Sequence, residues 1–226
     1  MKLGLIVEST DRGLEALVCP RILELLALET RTKIDLDLVT MTNKILLLHD
    51  AVERVRNLLD QGCERIVILW DENPPWTPEK DIGDKRCWHH ERDHLLANLR
   101  DARIDRRRVR LVCIEREFET WLLHDHQLLA EVISQGPHRA KVKALKDPVR
   151  IDDPKAALMS LFHKNKARFN PDVVVFKVRK LLSNLDRLKD CDTFRYFVQE
   201  ILGNMPKRWK QYNYQPKEPG TKTEQE

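Results

Sequence analysis

The chain has 226 residues, of which 42% are hydrophobic and 34% are charged, so it can bury a core and still expose a highly charged surface. No stretch approaches the roughly 20 consecutive apolar residues of a membrane-spanning helix, and the start, MKLGLIVEST, becomes acidic too soon for a signal peptide. These features predict a cytoplasmic protein with no membrane partner. Five scattered cysteines form no CxxC pair, which argues against a zinc ribbon and a disulfide framework.

The net charge of +4 is unevenly distributed along the chain. Residues 1–135 hold 20 basic and 25 acidic side chains, whereas residues 136–226 hold 20 and 11. An acidic first part and a basic second part fit a metal site beside a surface that binds a polyanion. Two solvated helical faces of opposite sign would produce the same distribution, and the sequence leaves both interpretations open.

Strands and helices are predicted to alternate in the first part of the chain. Four short, β-prone apolar segments predict strands: residues 2–8, 33–41, 64–70 and 108–115. Each is followed by a longer segment with helical spacing of apolar residues: 12–30, 43–62, 83–102 and 117–134. Within the first of these, Pro20 fits the first turn of a new helix better than a helix interior.

This order predicts an α/β fold with a mainly parallel sheet and helices on both faces. After Gly136 the pattern changes to three helical segments without strands between them: 153–169, 171–188 and 191–203. We therefore expect an α/β domain over residues 1–135 and a helical, basic extension over 136–210. The tail over 211–226 has almost no aliphatic residues and is predicted to be disordered.

Three of the four predicted strands end at acidic residues. Glu8 ends the first strand and Asp71 the third, and Glu115, Glu117 and Glu119 follow the fourth. Parallel strands start from the same side, so these acids should share the carboxyl edge of the sheet, where ligands bind in such folds. Clustered carboxylates repel unless a cation offsets them. All-oxygen ligation suits Mg²⁺ or Mn²⁺, and therefore metal-assisted phosphoryl transfer or phosphodiester hydrolysis.

Helix capping is the alternative explanation for several of these acids. Asp11, Glu117 and Glu119 all lie in predicted first turns of helices, where a negative charge is favourable. Capping does not account for acids at the ends of three strands, so the metal-site hypothesis rests on that coincidence.

Several segments carry a family resemblance. LIVESTD and VILWDEN resemble the Toprim pattern, in which one strand ends in a glutamate and a later strand ends in DxD. The segment IEREFETWLLHD resembles the EFE(A/T)W(L/F)L segment of a Toprim-related family of small bacterial proteins, and DPKAAL and CDTFRYFVQEIL resemble that family's C-terminal helices. The resemblance covers most of residues 1–203. It implies a Toprim-like fold, a metal-dependent nuclease activity, and an AAA-type ATPase partner in an anti-phage defence system.

The resemblance also implies roles for individual residues. Glu8 would be a metal ligand or general base, Asp71 the first acid of DxD, and Glu117 and Glu119 the EFE pair that completes the metal site. Asn73 stands where the second aspartate is usual, and it would assist Asp71 as a metal ligand through its side-chain carbonyl oxygen, without adding charge. The glycine that follows the glutamate in the family is missing. These departures keep open a non-catalytic binding module, and a small-molecule phosphohydrolase would share the metal chemistry.

The basic second part of the chain predicts a nucleic-acid surface. Six residues in segments expected to be helical would contact the phosphate backbone: Lys141, Lys143, Lys146, Lys177, Arg179 and Lys180. The stretch ARIDRRRVR (102–110) holds five arginines, which would either contact a nucleic-acid backbone or lie in an exposed loop before a strand.

A histidine pair and the scarcity of glycine bear on metal and phosphate binding. His90 and His94 have a helical i, i+4 spacing that can bind zinc, but no second pair of suitable ligands accompanies them, and a solvated helix face is the alternative. The chain has no G-x-x-x-x-G-K-[ST] motif and only seven glycines, so a bound metal would be its main means of binding phosphate.

Overall fold

The computed structural model describes residues 1–72 and 87–209, and of residues 87–89 the backbone alone. Asn73 and the tail predicted to be disordered (211–226) lie outside these residues. The strands are β1 (Lys2–Glu8), β2 (Asp35–Met41), β3 (Arg65–Asp71) and β4 (Val109–Ile114). The first five helices are α1 (Leu14–Thr30), α2 (Lys44–Asp60), α3 (Cys87–Asp101), α4 (Glu119–His124) and α5 (His126–Ile133). The later helices are α6 (Pro154–Lys164), α7 (Pro171–Leu181) and α8 (Asp192–Leu202), with 3₁₀ turns at Pro148–Arg150 and Leu188–Asp190.

The four strands form one all-parallel sheet in the order β2-β1-β3-β4. The predicted α/β fold is confirmed, and the architecture is consistent with a Toprim-like domain. Glu8 pairs with Met41, and Asp71 pairs with Ile114. This register brings the carboxyl ends of the strands to the same edge of the sheet.

Helices cover both faces of the sheet, because successive strand residues point to opposite sides. Leu5, Val7 and Leu69 belong to one buried cluster, which also holds residues of α1, α4, α5 and the three C-terminal helices. Ile6 and Ile68 belong to the second cluster, together with residues of α2 and α3. The C-terminal helices therefore share a hydrophobic core with the sheet.

Helix α1 continues through Pro20, so the prediction that a new helix begins there is wrong. A proline inside a helix removes one backbone hydrogen bond and costs about 3 kcal/mol. Val18, Cys19 and Ile22 are almost completely buried on either side of it. Burying large apolar side chains contributes roughly 1.5–3 kcal/mol each, which offsets the cost of the proline and keeps one helix.

The helix predicted over residues 117–134 is interrupted. Helices α4 and α5 meet at Asp125, whose carboxylate accepts a 2.9 Å hydrogen bond from the backbone N–H of Leu128. An aspartate that caps the next helix competes with continuation of the previous one. Sequence periodicity does not reveal this competition, because apolar spacing is similar on both sides of the break.

The basic segment 138–146 is not helical, contrary to the prediction. The Ala140 N–H donates to Ser134 Oγ at 3.0 Å, and the Lys141 N–H donates to Asn165 Oδ1 at 3.0 Å. Side-chain acceptors from two other parts of the chain therefore bind amides that a helix would have used internally.

Candidate active site

The acids at the strand ends meet at the carboxyl edge of the sheet. Glu8 is the last residue of β1 and Asp71 the last residue of β3, and these two strands are neighbours. Glu117 and Glu119 follow β4, the strand next to β3, and lie at the start of α4. The parallel topology thus brings together acids that are more than 60 residues apart in sequence.

Asp71 carries the strongest electrostatic conflict of this edge. Burial raises the pKa of its carboxyl group well above the ordinary value, and repulsion from Glu15, Glu119 and Glu8 adds to the effect. The Phe118 backbone amide opposes it. A carboxyl group in this environment is stabilised either by a proton or by a nearby cation.

Glu8 lies in a similar environment. Burial raises its pKa to about 7, and the positive charge of Lys44 and the backbone amide of Asp71 limit the rise. One oxygen of each acid, Glu8 Oε2 and Asp71 Oδ1, is buried and has no hydrogen-bond partner among the described residues. Buried acceptors are almost always satisfied in folded proteins, so these two oxygens indicate a missing donor or cation.

The two acids of the EFE segment, Glu117 and Glu119, have different surroundings. The Glu119 carboxylate is close enough to Asp71 to raise the pKa of that group by repulsion. Burial raises the pKa of Glu119 itself to about 7, with repulsion from Glu117 and Glu15 adding to the rise. Glu117 Oε2 accepts a 3.2 Å hydrogen bond from the backbone N–H of Lys155, in the first turn of α6. Glu117 therefore caps a C-terminal helix, which the sequence did not indicate, while burial raises its pKa as well.

Asp11 is not a helix cap. The N-cap position of α1 is occupied by Gly13 without a side-chain hydrogen bond, and the exposed Asp11 carboxylate accepts a hydrogen bond from the hydroxyl of Thr40 at the end of β2. Asp11 thus connects the loop after β1 to the neighbouring strand.

Glu15, which sequence reasoning missed, belongs to this edge. It lies in the first turn of α1, where burial raises the pKa of its carboxyl group and Ser9 and Lys155 oppose the rise. Ser9 Oγ itself makes no well-oriented hydrogen bond among the described residues. A Cβ on Gly13 would lie 1.9 Å from Ser9 Oγ, so any other residue at this position would force the Ser9 side chain out of its place in the turn before α1.

Lys44 is a second residue that sequence reasoning missed. It is 4% exposed at the start of α2, and its Nζ lies 3.2 Å from Glu91 Oε1. It also donates to the Glu72 carbonyl at 3.1 Å, and Trp70 Nε1 donates to Glu91 Oε2 at 2.8 Å. A cation at a helix N-terminus is unfavourable to the helix dipole, and this was the available signal that Lys44 has a local partner.

The chemistry of the donors fits a hard divalent cation, but the side chains do not yet surround one point. Glu8 and Asp71 supply unpartnered, buried oxygen atoms, which are the ligand type of Mg²⁺ and Mn²⁺. Within residues 1–72 and the described part of 87–209, no three His, Cys, Asp or Glu side chains are placed so that they could hold one metal ion. Asn73, predicted as a further ligand, cannot be placed.

The histidines considered for zinc are half-buried rather than solvated. The ring nitrogen Nε2 of His94 lies 3.0 Å from Nδ2 of Asn98, four residues further along α3. His90 Nε2 is buried without a hydrogen-bond partner in the described part of the chain.

The six basic residues predicted to contact nucleic acid differ in their surroundings. Five of them are exposed: Lys141, Lys143, Lys146, Arg179 and Lys180. The Lys177 ammonium group instead donates to the carbonyl oxygens of Val132 and Ser134, at 2.8 and 3.0 Å. These carbonyls belong to the end of α5, so Lys177 stabilises a helix C-terminus.

Comparison with protein-family models, with curated proteins and with solved structures finds no match to this chain. The Toprim resemblance therefore rests on the sequence motifs and on the agreement of the fold class. None of the helices in the described ranges is long and apolar enough to cross a membrane.

Proposed function

We propose that this protein is a divalent-metal-dependent nuclease that hydrolyses phosphodiester bonds at the carboxyl edge of its sheet. The observation that carries the proposal is the pair of buried, unpartnered carboxylate oxygens of Glu8 and Asp71 at the ends of adjacent parallel strands. Such a pair is costly in a metal-free protein and becomes favourable when a cation is bound.

The residues of the edge have distinct proposed roles. Glu8 and Asp71 would hold Mg²⁺ or Mn²⁺, and Glu119 and Glu15 would set the negative potential around them. When bound, the ion would polarise a phosphoryl oxygen and neutralise charge that develops during hydrolysis. Glu8 would also orient the attacking water and help to activate it.

Lys44 supports this arrangement from the protein side. Its charge is held in place by Glu91 and opposes the repulsion that Glu8 experiences. Lys44 lowers the pKa of Glu8 more strongly than its partner Glu91 raises it. Because the ion pair is nearly inaccessible to water, both charges act on the acidic edge with little screening.

Partners and context extend this proposal on the strength of the family resemblance. We propose a cytoplasmic protein that acts on nucleic acid together with an AAA-type ATPase in antiviral defence. The exposed Lys141, Lys143, Lys146, Arg179 and Lys180 supply positive charge for the nucleic-acid backbone.

One observation favours a second candidate, a non-catalytic binding module of the same fold. No three potential ligands in the described ranges are arranged to hold a metal ion, and Asn73 lacks the charge of the usual aspartate. A module without a metal would bind nucleic acid through its basic residues and would not cleave it.

A cleavage assay distinguishes the two candidates. Labelled single- and double-stranded DNA and RNA are incubated with the wild type in Mg²⁺, in Mn²⁺ and in EDTA. We expect metal-dependent cleavage that is lost in Asp71→Asn and retained in Asp101→Asn, which removes an exposed acid at the end of α3. Equal cleavage by both variants would overturn the proposed site, and binding without cleavage in any metal would favour the non-catalytic module.

A further inference from the structure

A second polar pocket lies beside the edge strand β4, at its amino-terminal start and away from the carboxyl ends of the strands. It has a volume of about 370 Å³ and lies between α3 on one face of the sheet and α8 on the other. Its charged and polar lining consists of Arg92, Arg106, Arg107, Arg110, Tyr196 and Glu200. Among the described residues of this lining, four are arginines and one is a glutamate.

The charges of this pocket are not balanced within the protein. Arg110 Nε lies 3.3 Å from Glu200 Oε2, yet it is buried and lacks a hydrogen bond of good geometry. Arg107 is paired with Asp105 at 3.1 Å. Among the ion pairs of the described residues, none includes Arg92 or Arg106.

The neighbouring arginine of the same stretch shows what a purely structural role looks like. Arg108 donates to the backbone carbonyl of Cys63 and is directed away from the pocket lining. The arginines of residues 102–110 therefore have different roles. The sequence left an exposed loop and a binding surface equally open for this stretch. Arg108 supports the fold, and Arg106 and Arg110 line a cavity.

We propose that this pocket binds a phosphate group of the nucleic-acid substrate. The planar donors of arginine match the oxygens of a phosphate, and several such donors in one concave site favour an anion over a neutral ligand. Tyr196 adds a hydroxyl group to the lining, and its Oη lies 3.5 Å from the Leu111 carbonyl oxygen. The assignment of a nucleic acid as the source of the phosphate rests on the proposed function.

The position of the pocket fits a substrate that also reaches the acidic edge. Arg110 and Ile114 lie four residues apart on β4, and Ile114 pairs with Asp71. At roughly 3.3 Å per strand residue this is about 13 Å. One strand of a duplex places a phosphate about every 3.4 Å along its axis, so a single nucleic-acid strand can contact both sites a few nucleotides apart.

The test compares two variants that lose the same charge. Arg92→Gln/Arg106→Gln removes two pocket guanidinium groups, and Arg100→Gln/Arg103→Gln removes two exposed ones from the same helix and the following turn. Binding of a labelled oligonucleotide is measured by fluorescence anisotropy in EDTA across a salt series. We expect the pocket variant to bind about tenfold more weakly, the effect of one lost charge-assisted hydrogen bond. Its slope of log affinity against log salt should fall by about 0.9 on duplex DNA.

Glu200→Gln is a second variant whose expected effect cannot be produced by loss of the fold. It keeps the side-chain shape and removes the negative charge from the pocket, so it should tighten oligonucleotide binding, which a damaged fold would not do. Equal binding by the wild type and the two pocket variants, Arg92→Gln/Arg106→Gln and Glu200→Gln, would overturn the proposal even if metal-dependent cleavage is observed.

Inorganic pyrophosphate distinguishes the source of the phosphate. If the wild type binds no oligonucleotide, the proposed function fails. A thermal melt with pyrophosphate then tests whether the pocket binds phosphate at all. A pyrophosphate-dependent rise in melting temperature that the Arg92→Gln/Arg106→Gln variant loses supports a phosphate site for a small ligand. An equal rise in melting temperature in both proteins overturns the proposal that the pocket binds phosphate.

Discussion

Lys44 Nζ lies 3.2 Å from Glu91 Oε1, with the two side chains 5% and 0% exposed, next to the edge of the sheet where the acids gather. Glu91 comes from the helix after β3 and Lys44 from the helix after β2. The ion pair therefore joins α2 and α3 over one face of the sheet, and Trp70 binds the same carboxylate from β3.

Lys44→Met should lower the free energy of unfolding by about 3–5 kcal/mol, because it leaves the buried Glu91 without this cation. The double variant Lys44→Met/Glu91→Gln should be more stable than Lys44→Met, since neither position of the pair then carries a buried charge and the amide oxygen can still accept from Trp70. Urea unfolding measures both values. Lys33→Met, at an exposed lysine, is the control and should change little, whereas a double variant less stable than Lys44→Met would contradict a charge-based coupling.

The metal-free protein should lose stability as pH rises from about 4.5 to about 7. Burial raises the pKa of Glu8 from 4.5 to about 7, so over this range the unfolded chain releases a proton that the native state retains. The Glu8 contribution is fully present below pH 4.5 and is lost above pH 7, an effect of about 3 kcal/mol. Glu119 acts in the same direction.

Unfolding in EDTA at a series of pH values tests this sign. Glu8→Gln should flatten the dependence and raise stability at neutral pH, whereas Glu53→Gln, at an exposed acid of α2, should not change the slope. Parallel curves for the wild type and Glu8→Gln would show that Glu8 titrates normally in the native state.

Substitution of Glu117 should lower the stability of the protein, whereas substitution of Glu119 should weaken its metal binding. Glu117→Ala removes the acceptor for the Lys155 N–H and should cost about 1 kcal/mol, the usual value of a helix cap, with the Mn²⁺-dependent rise in melting temperature retained. Glu119→Gln should not destabilise the metal-free protein, because it relieves a buried charge, but it should reduce that rise. Thermal melts with and without Mn²⁺ provide both readouts, and the opposite pattern would reverse the two assignments.

Lys177 should contribute to the stability of the fold, and Lys180 should contribute to nucleic-acid binding. Lys177→Met leaves two carbonyl oxygens at the end of α5 without their donor and should lower stability by about 1–3 kcal/mol. Lys180→Gln, three residues further on the exposed side of α7, should leave stability unchanged and weaken oligonucleotide binding. If Lys177→Met were as stable as the wild type and bound nucleic acid less tightly, Lys177 would belong to the binding surface after all.

The alternating α/β order and the edge at which the acids meet were predictable from the order of the residues alone. Apolar periodicity records which side of each segment is buried, and parallel strands must end on the same side. These two rules were sufficient to place Glu8 and Asp71 together, although they are more than 60 residues apart. The same periodicity cannot detect a helix that continues through Pro20 or one that breaks at Asp125, because these depend on core burial and on a competing cap.

The other charged residues of the site were not predictable, because packing between distant elements brings them there. Glu15, Lys44 and Glu91 lie on segments that read as ordinary amphipathic helices. They become buried because the turn at Gly13 and the packing of α2 against α3 bring them to the strand ends. The type of a charged residue does not indicate whether its surroundings in the folded protein have a low dielectric constant. That environment is created when distant elements exclude water between them.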